Sequence, residues 1–356
     1  MMISQRFTTW MFVWLLPICG CSKIAFKDGG VAAQSSVDDN PPVGGTIKNS
    51  YFFVKRTADI LFVIDTSGSM AEEQALLKNG FPSFTSTINT NSGGTLDWHI
   101  AITTTDIANV GQGNQGSLVQ FVGRPPGTYY LDSSIASASA NNSFQSTVTL
   151  GTSGSGDERG IAAARMLVDR ENDPTTTTGF LRADTPLSVI VLSDEDERST
   201  RDTSSAEYTP LEAIDEPANF LPGIHAADKQ SSGVKTVTFH SIVTSTQECL
   251  ASTGTYMGTT YMQLSAITNG IIGDVCALKQ TYQDQLASMA ANIVNEARTY
   301  TLPCNNVLAG SASIFEQKLN GVLVLVPSTF LPPNKLQLLT APEVGSLIKA
   351  HFTCMD

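Results

Sequence analysis

Asp65, Ser67 and Ser69 place one carboxylate and two hydroxyls at alternate positions directly after the apolar run Ile60-Leu-Phe-Val-Ile64. Oxygen-only donors at that spacing, held at the end of a rigid strand, make half a cage for a hard divalent cation. Mg²⁺ is the natural occupant, with positions left for water or a ligand. A second apolar run, Leu187-Ser-Val-Ile-Val-Leu192, also stops at acids, in Ser193-Asp194-Glu-Asp-Glu197. Between the two lies Gly151-Thr-Ser-Gly-Ser-Gly-Asp-Glu-Arg-Gly160, which runs into a helical pattern from Ile161 to Val168. Its glycines allow close backbone approach, and the helix N-terminus adds N–H donors.

Three spaced oxygens are a weak motif alone, and other readings compete. Ser69-Met-Ala-Glu72 also fits a capping box that opens a helix. Asp65-Thr-Ser-Gly differs from the Asp-Thr-Gly of pepsin-like proteases by an inserted serine, and no second copy completes a dyad. A phosphate-cradling Gly-x-x-x-x-Gly-Lys run is absent. Four scattered histidines (His99, His225, His240, His351) do not suggest zinc. Glu195, Asp196 and Asp106 are available acids for a hydrolase, but no histidine or cysteine accompanies them. The enzyme reading therefore lacks a convincing general base; Asp65 is expected at a solvent-facing edge, with Glu197 a bystander.

The elements that must hold these groups follow from periodicity. Leu77, Phe81, Phe84 and Ile88 recur at helical spacing, with Gly80 and Pro82 weakening or kinking that helix. Leu96, Trp98, Ile100 and Ile102 alternate as a strand, and Val237, Phe239, Ser241 and Val243 outline another. Tyr282, Leu286, Met289 and Ile293 mark a second amphipathic helix. Val110 to Gly154 reads as an edge hairpin, including Leu118–Val122, with long loops. The rhythm predicts an α/β fold: a doubly wound, mostly parallel sheet flanked by helices, with ligands at the carboxyl ends of its strands. Beyond Pro303 short strands and an Asn320-Gly321 hairpin turn predict a small C-terminal β appendage. The expected divisions are a signal segment 1–20, a flexible tether 21–50, a main domain 51–299 and the appendage 300–356.

Charge and cysteines point to export. The net charge of −12 disfavours nucleic acid and suits a cation. Arg6 followed by an apolar stretch from Trp10 to Ile18 reads as a signal peptide too short to span a bilayer. It ends in Ile18-Cys-Gly-Cys21, which resembles a bacterial lipobox and implies lipidation of Cys21; a plain secretory signal is the alternative. By analogy with Gram-negative lipoproteins, Ser22 favours the outer membrane. Cys249, Cys276, Cys304 and Cys354 remain, and nearest-neighbour pairing predicts Cys249–Cys276 and Cys304–Cys354 disulfides.

Taken together, the strand ending in Asp65-x-Ser67-x-Ser69, the hydroxyl-bearing glycine loop before a helix and the later acid-ended strand resemble a von Willebrand factor type A domain with its metal-ion-dependent adhesion site, over roughly residues 54–297. The resemblance implies Ser67 and Ser69 as direct hydroxyl ligands, with Asp65 and Asp194 acting largely through water. Ser155 best matches the family's threonine, and Thr152 and Ser153 remain rivals. It implies a Mg²⁺ ion, or Mn²⁺ or Ca²⁺, whose open position takes an Asp or Glu carboxylate from a protein partner. A surface-tethered bacterial adhesin is the expected function. An envelope protein with a purely structural metal, or a metal-dependent hydrolase, are the alternatives.

Overall fold

The computed structural model describes residues 45–53, 56–197, 211–231, 235–253, 256–343 and 345–355. The signal segment, Cys21 and the tether as far as residue 44 lie outside the described residues. In chain order the elements are β1 (Thr46–Phe53), β2 (Thr57–Ile64), α1 (Ala71–Ser92), β3 (Asp97–Thr104), β4 (Tyr130–Asp132), α2 (Ser137–Thr147) and α3 (Gly160–Glu171). They continue with β5 (Leu187–Leu192), α4 (Pro217–Ala227), β6 (Val237–Val243), α5 (Gln247–Thr253), α6 (Thr259–Ile267), β7 (Ile272–Asp274) and α7 (Lys279–Glu296). The C-terminal strands are β8 (Thr299–Thr301), β9 (Ser313–Gln317), β10 (Leu323–Leu325), β11 (Ser328–Leu331), β12 (Lys335–Leu338) and β13 (Leu347–Cys354).

A six-stranded sheet in the order β4-β3-β2-β5-β6-β7 carries the acid-ended strands at its centre. Side chains alternate across it, as a strand demands. Ile60, Phe62 and Ile64 pack on one face with α1, α2 and α7, through Leu77, Phe81, Phe84, Phe144 and Leu286. Leu61 and Val63 face the other way, against Ile161, Leu167, Ile224 and Tyr261 from α3, α4 and α6. Helix α1 runs unbroken through Gly80 and Pro82. Gly80 sits where α1 meets α7, since a Cβ there would run into Leu286.

The expectation of one doubly wound, mostly parallel sheet with a small C-terminal appendage is corrected by the strand pairings. The six-stranded sheet is mixed, because β4 runs antiparallel to β3. Two antiparallel sheets accompany it, β1-β13-β9-β10 and β11-β12-β8. The first takes its edge strand from the N-terminal side: β1 pairs with β13 over its whole length, Thr46 opposite Cys354 and Phe53 opposite Leu347. Residues 46–50, expected in the tether, are therefore strand. A pairing across some 300 residues of chain leaves no local trace that periodicity can read. The span 110–154 supplies β4 and α2 rather than a hairpin, and 118–122 forms no strand.

The predicted hairpin is present, with β9 and β10 antiparallel around Asn320-Gly321. Both predicted disulfides form. Cys249–Cys276 joins α5 to the turn before α7, with Cα atoms 5.5 Å apart. Cys304–Cys354 ties the segment after β8 to the end of β13, with a 6.0 Å Cα separation. Among the described residues, no helix is long and apolar enough to cross a membrane.

Candidate functional site

The carboxyl ends of β2, β3 and β5 are laced together by backbone bonds. Asp65 N donates to Leu192 O at 2.9 Å, and Thr105 N to Ile64 O at 3.1 Å. Asp65 leaves β2 directly into this junction and is fully buried, not at a solvent-facing edge. Its Oδ1 accepts from the Ser67 backbone N–H at 2.7 Å and its Oδ2 from the Ser193 hydroxyl at 2.6 Å. Ser67 Oγ lies beside the same carboxylate, shut off from solvent, and its hydroxyl helps to hold the Asp65 charge. Ser69 is exposed and its hydroxyl reaches the buried Asp194 carboxylate. Thr244 Oγ1 donates to the Asp194 carbonyl at 2.8 Å and so anchors the strand end.

Electrostatics set these groups apart from ordinary carboxylates. Burial pushes Asp65 well up, against the bond from Ser193, and the neighbouring Asp194 charge pushes the same way. Burial likewise raises Asp194, with the Ser69 hydroxyl pulling against it. Two like charges have been drawn into one water-poor corner, an arrangement that a proton or a cation relieves.

The glycine-rich loop is brought alongside by contacts that local sequence does not announce. Gly154 N donates to Thr66 O at 2.8 Å, and a Cβ at Gly154 would overlap Thr66 Oγ1, so only glycine permits this approach. Gln74, one turn into α1, donates to Asp65 O at 3.0 Å and Gly151 O at 2.9 Å. Its Oε1 accepts from Leu150 N at 3.0 Å. Ser155 N donates to Asp106 Oδ2 at 3.1 Å, and Ser155 Oγ accepts from Asp157 N at 3.0 Å. That hydroxyl keeps a lone pair for a ligand. Thr152 is half-buried and Ser153 exposed on the same loop. Gln74 escaped the sequence analysis, since a glutamine on an amphipathic helix reads as solvent-facing.

The four consecutive acids after Ser193 separate into different tasks. Asp194 stays at the strand end, within reach of the Ser69 hydroxyl. Asp196 accepts from Thr260 N at 2.9 Å and Thr260 Oγ1 at 3.0 Å, capping α6. Glu197, expected to be a bystander, is fully engaged: its oxygens accept from Ile161 N at 2.9 Å and Ala162 N at 3.2 Å in the first turn of α3. Burial pushes its carboxyl up to about 8 against those bonds. Asp106, a candidate general base from sequence, is also committed, its Oδ1 accepting from Ala108 N at 3.1 Å and Asn109 N at 3.0 Å.

One residue of this corner was not singled out by sequence. Glu158 is wholly buried, and its backbone bridges to Asp106 at the end of β3. Burial raises its carboxyl, and the charges of Asp65 and then Glu195 raise it further. The corner thus offers oxygen donors only. Carboxylates and hydroxyls suit Mg²⁺, Mn²⁺ or Ca²⁺ and not a soft metal. The group Cys249, Asp274 and Cys276 offers no rival site, because both sulfurs are spent in a disulfide and a metal needs the thiolate.

No family model matches the chain, and neither does any curated protein. Solved structures with some likeness include the open conformation of the pilus adhesin SpaC from Lactobacillus rhamnosus GG, 14% identical with a TM-score of 0.38, covering 89% of this chain and 41% of that one. Proximal thread matrix protein 1 from the mussel byssus is 13% identical at a TM-score of 0.40, covering 71% of this chain and 51% of its own. The minor pilin PilB from Streptococcus sanguinis is 12% identical at 0.38, covering 68% and 62%. The chain spans less than two thirds of the length of each of these three. Likeness at this level carries no argument about what this chain binds.

Proposed function

We propose that this chain is a protein-binding module whose divalent cation, Mg²⁺ or else Mn²⁺ or Ca²⁺, is held by Asp65, Ser67, Ser69, Ser155 and Asp194 in the manner of a metal-ion-dependent adhesion site. The observation that carries the reading is the pairing of two buried carboxylates, Asp65 and Asp194, whose partners among the described residues are hydroxyls and backbone N–H groups and not a cation. The cation supplies an electrophilic point at which a partner's Asp or Glu side chain can replace a water. Ser67 and Ser69 are its direct ligands in this reading, and Asp65 and Asp194 orient the water and hydroxyl protons around it. The exposed Ser69 marks the side from which a partner approaches.

Two observations favour binding over the alternatives. The loops are already joined by Gln74 and by the Gly154 to Thr66 bond, so a cation is not needed merely to knit them. Asp106 and Asp196 are occupied in holding a turn and a helix end, which leaves a hydrolase without those bases. We further propose export through residues 1–20, lipidation at Cys21 and display on the outer membrane as an adhesin.

Asp65→Ala tests the proposal. Losses of charge and orientation around a bound metal typically cost about 10- to 100-fold in affinity. The variant is expected to stay folded, to bind Mg²⁺ that much more weakly by calorimetry, and to lose chelator-sensitive adhesion to cells. Undiminished adhesion that ignores chelator would overturn the mechanism.

A further inference from the structure

Strand β10 ends the sheet β1-β13-β9-β10 and, among the described residues, pairs with β9 alone. Two flanking bonds fix the phase of that pairing: Lys318 N donates to Val322 O, and Val326 N to Ile314 O, both at 2.9 Å. Bonded residues alternate along an antiparallel ladder, so Val322, Val324 and Val326 turn their backbone groups towards β9. Leu323 and Leu325 turn theirs outward, and among the described residues nothing meets their N–H and C=O groups. The side chains are as open as the backbone. Leu323 is 57% and Leu325 65% exposed, and Val322 and Val324 are exposed on the opposite face. Charged side chains, which commonly keep sheet edges apart, stand on the edge strands β1 (Lys48), β4 (Asp132) and β7 (Asp274). From Val322 to Val326 there is none, and proline enters only at Pro327, after the run.

The run itself selects the occupant. Val322-Leu-Val-Leu-Val326 reads the same in both directions. A second copy laid antiparallel about a two-fold axis at Val324 therefore sets valine opposite valine and leucine opposite leucine. In that register Leu323 faces Leu325 of the second copy, and Leu325 faces its Leu323. Each such pair exchanges two N–H···O bonds, which satisfies every outward group of both strands. We propose that β10 is a homodimerisation edge, through which two copies of this chain join their four-stranded sheets into one continuous antiparallel sheet. A two-fold contact closes on itself, so association stops at the dimer. Two copies in one particle can also grip a target at two points, which strengthens attachment without any new contact at either. The inference does not rest on the cation reading above.

Cysteine cross-linking of the full chain tests the register. Val324 would lie on the axis in a non-hydrogen-bonded pair, where Cα atoms stand about 4.5 Å apart, within the span of a disulfide. Leu323→Cys would face Leu325 and not itself, and Asn320→Cys, on the hairpin turn, reports random collision. The variants are oxidised and compared on non-reducing gels with the wild type, which carries Cys19 and Cys21 beyond its four disulfide cysteines. Val324→Cys should give covalent dimer at least about tenfold faster than either control. Sedimentation should show a wild-type dimer and a monomeric Val324→Lys, because two like charges would then stand directly opposite. If Val324→Lys fails to fold, the cysteine variants decide alone. Cross-linking no faster at 324 than at 323 and 320 overturns the inference, as does a dimer that survives Val324→Lys. A wild-type chain that sediments as a monomer at every concentration overturns it too, and leaves the edge to a strand of another protein.

Discussion

Strand β2 has an aspartate near each end, and the two are buried alike but satisfied differently. Asp59, at the amino end, accepts from Arg182 N and Arg182 Nε, both at 2.8 Å, and the same guanidinium bridges to Asp97 at 2.9 Å. His99 stands 4.0 Å away. Asp65, just past the carboxyl end, receives a backbone N–H and a serine hydroxyl, and among the described residues no cation acts on it. Burial pushes both carboxyls up, but only Asp59 has an arginine pulling it back. A buried charge with its countercharge built in is part of the scaffold. One without a countercharge among the described residues is where the proposed cation would sit.

The largest expected effect breaks the comparison at its structural end. Removing one partner of a buried ion pair typically costs about 3–5 kcal/mol, because the other charge is stranded. Asp59→Ala should lower unfolding stability in denaturant by that order, reduced somewhat by the partial exposure of Arg182. Cation affinity of the folded fraction should not change. Asp65→Ala in chelator should lose less, about 1–3 kcal/mol for the Ser67 N–H and Ser193 hydroxyl left without their acceptor, and should lose most of its metal binding. Equal destabilisation of both variants would mean that the two ends do not differ in kind.

Glu197 sharpens the contrast within the carboxyl end itself. It lies three residues from Asp194, yet its partners are the Ile161 and Ala162 amides at the start of α3. Glu197→Ala leaves those two N–H groups without their acceptor, at about 1–3 kcal/mol. Thermal melting should register the loss while the Mg²⁺ titration per folded molecule stays at the wild-type value. A variant that keeps its melting temperature but binds Mg²⁺ poorly would place Glu197 in the site instead.

The smallest effect is a pH dependence. Asp65, Glu158 and Asp194 are all raised, chiefly by burial, and Glu197 is raised to about 8. An acid raised on folding binds protons more tightly in the native state. Its stabilising contribution is complete below the ordinary carboxylate range near pH 4 and is lost as pH rises through the folded value. The chelated protein should therefore melt progressively lower from about pH 5 towards pH 8. Saturating Mg²⁺ should flatten that slope, since metal binding displaces protons and strengthens with pH. A chelated protein whose stability climbs over this window would show these carboxyls to be satisfied by some other group.

Much of the corner was legible without coordinates because it is local. A run such as Ile60 to Ile64 has to be a strand buried on both faces, and the first polar residue after it has to emerge at the strand's carboxyl end. The same holds for Leu187 to Leu192 and the Ser193-Asp194 pair after it, and the four cysteines after Cys21 pair as neighbours. Helix α2 was hidden because Ser137–Thr147 carries one large apolar residue, Phe144, and becomes helical by laying it on Phe62 and Phe81. Strand β1 was hidden because its partner β13 is some 300 residues away. The roles of Gln74, Glu158 and Glu197 are set by which backbone amides and carboxyls the fold carries to them. By itself, the sequence determined which strands end in acids and hydroxyls. Only the tertiary structure decided which of those acids meet a donor or an arginine, because a side chain's partner is chosen by three-dimensional proximity and the period of the chain carries no record of it.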